Sequence, residues 1–197
     1  MRVIPLRHNP KGYTANAYLV LGDWNALQDV NTLVDVGTDG YVLDEIATAS
    51  TGVGKRPVER VILTHSHFDH RGGLAKVVEK YTPEVLALTP GEGVTRVLKG
   101  NEIVKMGDKE CYILPCPVHS ADSLLILETD QGILFSGDTP IMARGSAGEY
   151  PEIFLQILER LSRSGIKTIY PGHGKPLDED VQGCLDYSLS ILKREKK

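Results

Sequence analysis

Apolar residues in this chain come in short runs broken by glycine, proline and acidic turns, and the period of the runs changes along the sequence. Residues 1–36 read as strands, with compact apolar runs at 16–21 and 31–36 joined by a hairpin-like loop over 22–29. A turn at 37–40 leads to a helix over 41–49, where Val42, Ile46 and Ala49 share one face. A strand at 60–64 is followed by a helix over 72–81 that carries Leu74, Val77, Val78 and Tyr81 on one side. A strand over 84–88 and a short helix over 91–98 come next. The second half is expected to hold strands at 110–114, 123–128 and 133–136, the last two paired about a turn at 130–132. Ile153, Phe154, Ile157, Leu158 and Leu161 make an amphipathic helix. A strand follows at 168–170. Val181, Cys184, Leu185, Ser188, Leu189 and Leu192 form the packed face of a final helix.

No linker, low-complexity tract or repeat interrupts this pattern, so residues 1–197 are expected to form one domain with room for a substantial core. A hydrophobic fraction of 41% and a charged fraction of 24% are ordinary for a globular protein. Net charge is −4, and the basic residues cluster only at Lys193, Arg194, Lys196 and Lys197. That excludes a nucleic-acid footprint, and the basic tail reads as charge that complements a helix C-terminus. Cys111, Cys116 and Cys184 give no disulfide framework, so a reducing cytoplasm is the expected home. No apolar window reaches the length of a membrane span, and no membrane partner is expected.

The chemistry concentrates in Thr64-His65-Ser66-His67-Phe68-Asp69-His70-Arg71-Gly72-Gly73, where four residues of metal-ligand type fall within six positions. In an extended segment, residues i and i+2 point to the same side, so His65 and His67 can aim at one point. Asp69 continues that parity, and His70 turns aside where the chain leaves the strand. Nitrogen donors beside a carboxylate suit a borderline divalent ion such as zinc, or iron or manganese. His119, Asp138 and His173 each lie where an apolar strand meets proline or glycine. With the first run they make seven candidate ligands, enough for two adjacent ions. His8 reads as a surface residue. Asp35 ends a strand before a glycine; a local turn cap is favoured over support of the metal site. Cys116 reads as a small buried hydrophobe rather than a ligand. The 51–55 segment lacks the spacing of a phosphate loop.

These pieces resemble the metallo-β-lactamase fold superfamily. Asn16-Ala17-Tyr18-Leu19-Val20, Leu33-Val34-Asp35-Val36-Gly37, the 65–73 run, His119-Ser120, Leu134-Phe135-Ser136-Gly137-Asp138-Thr139 and Pro171-Gly172-His173-Gly174 stand in the family's order across almost the whole chain. Within the superfamily they are most similar to the glyoxalase II-related branch. The resemblance implies an α+β fold, a four-layer αββα sandwich with the site along one edge of two packed sheets. It implies that His65, His67 and His119 hold one metal, Asp69, His70 and His173 a second, and that Asp138 and a hydroxide bridge them. The expected activity is hydrolysis of a thioester, lactone or related ester of a small-molecule substrate. Asp69 is the candidate catalytic residue that orients the hydroxide or carries a proton to the leaving group. Arg71, beside the ligand run, and Arg144, in the 140–150 loop, are candidate substrate contacts; for Arg71 a solvated charge or structural ion pair is favoured.

Two alternatives of the same fold stay open: a mononuclear iron persulfide dioxygenase, and a phosphodiesterase. Flavodiiron proteins usually carry a glutamate where His67 stands, and are set aside. Glyoxalase II proteins hold glutathione with a C-terminal helical region. Only 24 residues follow His173 here, so glutathione specificity is not expected.

Overall fold

The computed structural model describes residues 1–7, 12–142 and 150–194, the last without its side chain. His8 and Arg144 therefore lie outside the described residues, as does most of the 140–150 loop. Two sheets stack face to face. The first contains β1 (Arg2–Leu6), β2 (Ala17–Leu21), β3 (Thr32–Val34), β4 (Arg60–Ile62), β5 (Glu84–Ala87) and β6 (Arg96–Val97), in that spatial order. The second contains β7 (Ile103–Met106), β8 (Lys109–Pro115), β9 (Leu124–Glu128), β10 (Ile133–Gly137) and β11 (Thr168–Pro171), in the spatial order β11-β10-β9-β8-β7. Helices α1 (Val42–Thr48), α2 (Phe68–Arg71) and α3 (Leu74–Tyr81) belong to the first half, and α4 (Glu152–Ser162) and α5 (Val181–Arg194) to the second.

Strand periodicity explains the layering. Along β2, Tyr18 and Val20 join the core between the sheets, whereas Ala17, Leu19 and Leu21 join the core under α1 and α3. Along β9, Leu124 and Ile126 face the first sheet, and Leu125 and Leu127 pack with α4 and α5. These strands are buried on both faces, which is why they read as continuous apolar runs rather than alternating ones. Three apolar cores between four layers make the αββα sandwich. No helix among the described residues is long and apolar enough to cross a membrane.

The structure departs from the sequence reading in three places. The 91–98 segment is not helical: a turn carries it into β6, which pairs parallel with β5. Val94 and Leu98 are four apart, a spacing that fits either period, and Gly93 at φ +78° breaks a helix. Strand β7 was not anticipated; its Val104 and Met106 are buried and alternate with Ile103 and Lys105. The third departure concerns the ligand run. His67 is extended, but Asp69 and His70 sit on the short helix α2, so strand parity does not place Asp69.

Candidate metal centre

β3, β4 and β5 run parallel, and the loops after them open at one sheet edge. The chain leaves β4 through 63–67 and turns at once into α2. Gly72 and Gly73 permit that turn. A Cβ on Gly72 would lie 2.6 Å from the Thr38 carbonyl oxygen, and one on Gly73 would lie 2.9 Å from that of Val36. The second sheet brings His119 from the loop after β8, Asp138 from the end of β10 and His173 from the turn after β11.

All seven candidate ligands meet there. The ligand atoms of His65, His67 and His119 lie within 4.8 Å of one another, and so do those of Asp69, His70, Asp138 and His173. His119 Nε2 is 3.0 Å from His67 Nδ1. His173 Nε2 is 3.0 Å from Asp69 Oδ2. Asp138 stands between the groups: Oδ1 is 3.2 Å from His70 Nε2, and Oδ2 is 3.4 Å from His173 Nε2 and 3.6 Å from His119 Nε2. The site also needs Gly172, because a Cβ there would fall 2.1 Å from Asp138 Oδ1 and 2.7 Å from His70 Cε1.

Asp35 proves to support this cluster rather than cap a turn. Held at φ +54°, it accepts hydrogen bonds from Thr64 N–H and Thr64 Oγ1, each at 2.8 Å, and its Oδ2 is 2.8 Å from His70 Nδ1. That contact keeps a proton on Nδ1 and turns Nε2 toward Asp138. No pattern near position 35 announces this, since the partner is 35 residues away. Two other neighbours had no role assigned to them from the sequence. Tyr13 stacks on His173, with ring centroids 5.4 Å apart. Asn16 ties the His173 turn to β2, donating from Nδ2 to the carbonyls of Pro171 at 3.0 Å and Gly174 at 2.8 Å.

The electrostatics show what the cluster accommodates. Burial, with the nearby charge of His70, pushes the His65 pKa down to about 4, and burial also lowers that of His119. Burial opposes charge on His70 as well, but Asp35 and Asp138 outweigh it and raise its pKa to about 10. Burial would likewise raise the Asp138 pKa, yet His70, whose Nε2 lies 3.2 Å from Oδ1, brings it down to about 2. His65 Nε2, His70 Nε2 and Asp138 Oδ1 are buried without a satisfactory hydrogen-bond partner. Imidazole nitrogens and carboxylate oxygens that converge unpaired are a donor set that fits divalent metal ions.

A consequence is measurable. His70 is protonated below pH about 10, so a divalent ion that takes Nε2 must expel that proton, whereas His65 is already neutral above pH about 4. Metal affinity is expected to rise with pH by about tenfold per unit through neutrality. Calorimetric titration of metal-free protein at pH 8, in buffers of different ionisation heat, should show proton release; a heat independent of buffer would contradict it.

Three other positions singled out in the sequence stand outside the ligand cluster. Cys116 is buried in the core under α4 and α5, where burial pushes its pKa up to about 11. Arg71 is tied not to an acid but to the Glu92 carbonyl, to which its Nη2 donates at 2.7 Å. Lys193 on α5 pairs with Glu159 on α4 at 2.8 Å; Lys196 and Lys197 lie outside the described residues.

Comparison with known proteins agrees with this geometry. The chain is 26% identical over 185 residues to an atrochrysone carboxyl ACP thioesterase of Aspergillus novofumigatus, covering 87% of this chain and 57% of that one. It is 25% identical over 213 residues to the acyl-coenzyme A thioesterase MBLAC2 of Gallus gallus, covering 85% and 75%. It is 29% identical over 147 residues to a hydroxyacylglutathione hydrolase of Dictyostelium discoideum, covering 71% and 52%. Apart from the avian protein, the chain spans about half the length of these curated relatives. The fold matches that of the BLEG-1 B3 metallo-β-lactamase with a TM-score of 0.67 and 17% identity, over 98% of this chain and 100% of that one. A family model described as the metallo-β-lactamase superfamily matches residues 11–173. That span holds all seven converging side chains, and the chain belongs to the metallo-β-lactamase superfamily.

Proposed function

We propose that this chain is a thioester hydrolase with two divalent ions, zinc by donor chemistry, and that His65, His67 and His119 hold one while Asp69, His70 and His173 hold the other. The observation that carries this reading is Asp138, one carboxylate within 3.6 Å of nitrogens from both groups. Ions held there supply a water that ionises near pH 7 and polarise the substrate carbonyl. Asp69 Oδ2, at the His173 side of the cluster, is the acceptor that orients the attacking water and passes a proton to the leaving thiolate. The cysteines near the core offer no rival nucleophile: burial raises the pKa of Cys111 to about 12 and that of Cys116 to about 11, so both are neutral thiols at pH 7. Two relatives named as thioesterases support the choice of bond.

The acyl part is assigned to a cavity of about 790 Å³ beside the ligand run, between α2–α3 and the 91–93 loop. Phe68, Leu74, Ala75 and Val78 supply its apolar wall, and Arg71 and Glu92 its polar edge. Crevices outside the carboxyl ends of neighbouring parallel strands, here β4 and β5, are the usual ligand sites of such sheets. Arg71 occupies the space that a side chain on Gly91 would need, since a Cβ there would be 3.0 Å from its Nη1. Its assigned role is to shape the cavity edge.

The test begins with metal analysis of the purified protein. It continues with straight-chain acyl thioesters, a lactone, a phosphodiester and a β-lactam. Thioester turnover is expected to vanish on chelation and return with zinc. Its kcat/KM should rise about fourfold per added methylene while the cavity fills. Turnover of the phosphodiester with none of the thioesters would overturn the reading.

A further inference from the structure

Tyr13 stands between β1 and β2 and is 77% exposed, yet its backbone is fixed. Its carbonyl accepts a hydrogen bond from Thr38 Oγ1 at 2.8 Å, and the Thr38 N–H donates to Thr14 Oγ1 at 3.0 Å. Two residues on, Ala15 N–H donates to the Asp69 carbonyl at 3.1 Å and Asn16 N–H to the Gly172 carbonyl at 2.7 Å. The 13–16 segment is thus stapled across both turns that carry ligands on the His173 side. From that anchorage the ring lies over the His173 imidazole at an interplanar angle of 24°, with Oη 3.5 Å from Nε2. An aromatic ring kept for core packing would be buried. This one is held at the mouth of the cluster with its hydroxyl turned inward.

We propose that the Tyr13 hydroxyl is a catalytic hydrogen-bond donor to the substrate carbonyl oxygen as negative charge develops there. The proposal rests on the thioesterase reading above. A water-derived hydroxide adds to the carbonyl carbon, and the π pair moves onto oxygen. Tyr13 donates a hydrogen bond to that oxygen and keeps its own proton, because a phenol is protonated well above pH 7. The pair then returns, the C–S bond breaks and the thiolate leaves. A donor already in place for the developing charge costs no reorganisation at the moment of reaction. Tyr18 cannot serve, because it is buried and its hydroxyl donates to the Pro171 carbonyl at 2.6 Å.

The test uses the metal-loaded chain of residues 1–197 with butyryl-N-acetylcysteamine as the thioester. In Tyr13→Phe, which keeps the ring and removes one oxygen, kcat should fall about 10- to 100-fold, somewhat less than for a fully enclosed oxyanion donor. KM should stay within about twofold and metal content should not change. The second readout is binding of a phosphonate mimic of the tetrahedral state, which should weaken about tenfold in the variant while butyrate binding is unaltered. Tyr13→Ala should be no worse than Tyr13→Phe by more than a few-fold. Wild-type kcat in Tyr13→Phe, unchanged phosphonate binding, or loss of metal with activity would each overturn the proposal. If the unaltered protein turns over no thioester, the thioesterase reading itself fails; thioester turnover that Tyr13→Phe leaves unchanged defeats the role of Tyr13 alone.

Discussion

Asp138→Ala is expected to remove metal and turnover together. The carboxylate approaches nitrogens of both histidine groups, on His70, His119 and His173. Its removal also strips a half-buried negative charge from beside His70, a loss that falls harder on a dication than on a proton because the Coulomb attraction doubles with the charge. Bound metal should fall below two per chain, and kcat/KM for a thioester should drop by about 10²- to 10³-fold. His67→Ala, which leaves the Asp69, His70 and His173 group intact, should lose metal chiefly from the first group. Elemental analysis and turnover of the same samples are the measurement. Full occupancy with unchanged turnover in either variant would refute the ligand assignment.

Asp35→Asn is the second large effect, and it works without touching a proposed ligand atom. Asparagine tolerates the positive φ at this position, so the backbone should hold. The two Thr64 bonds constrain the amide, because the Thr64 N–H requires an oxygen at Oδ1. The amide nitrogen then occupies the place of Oδ2, 2.8 Å from His70 Nδ1. Nδ1 must become an acceptor, the ring proton moves to Nε2, and the lone pair needed for metal points the wrong way. The carboxylate that lifts the His70 pKa to about 10 is also gone, so proton release on metal binding should shrink in the same variant. Metal affinity is expected to fall about 10- to 100-fold, the range for partners that orient ligating histidines. A variant with wild-type affinity and wild-type proton release would show that Asp35 does not set the His70 tautomer.

These two variants mark how far the sequence can be read. Asp138 was legible because β10 begins with the apolar run Ile133-Leu134-Phe135 and ends in Gly137, followed by a lone carboxylate. Asp35 sits in the same local setting, after β3 and before Gly37, but its meaning depends on Thr64 and His70, which only the pairing of β3 with β4 brings alongside. Asp69 was named for a reason that failed: the structure places it on α2, and the helix turn, not strand parity, brings it to His173. The 91–98 segment failed for a related cause. Its two inward residues fit both periods, and tertiary pairing with β5 decided between them.

What the amino-acid sequence determined by itself was the chemistry and the layer pattern. Histidine and aspartate at the ends of apolar strands settle which donors are on offer, and runs buried on both faces dictate stacked sheets, because both properties follow from residue type and local period. Only the tertiary structure decided which donors share a neighbour, that one carboxylate stands between two groups, and that Tyr13 lies over an imidazole 160 positions later in the chain. Contacts of that span arise from how strands order themselves within sheets, and local spacing carries no record of that order.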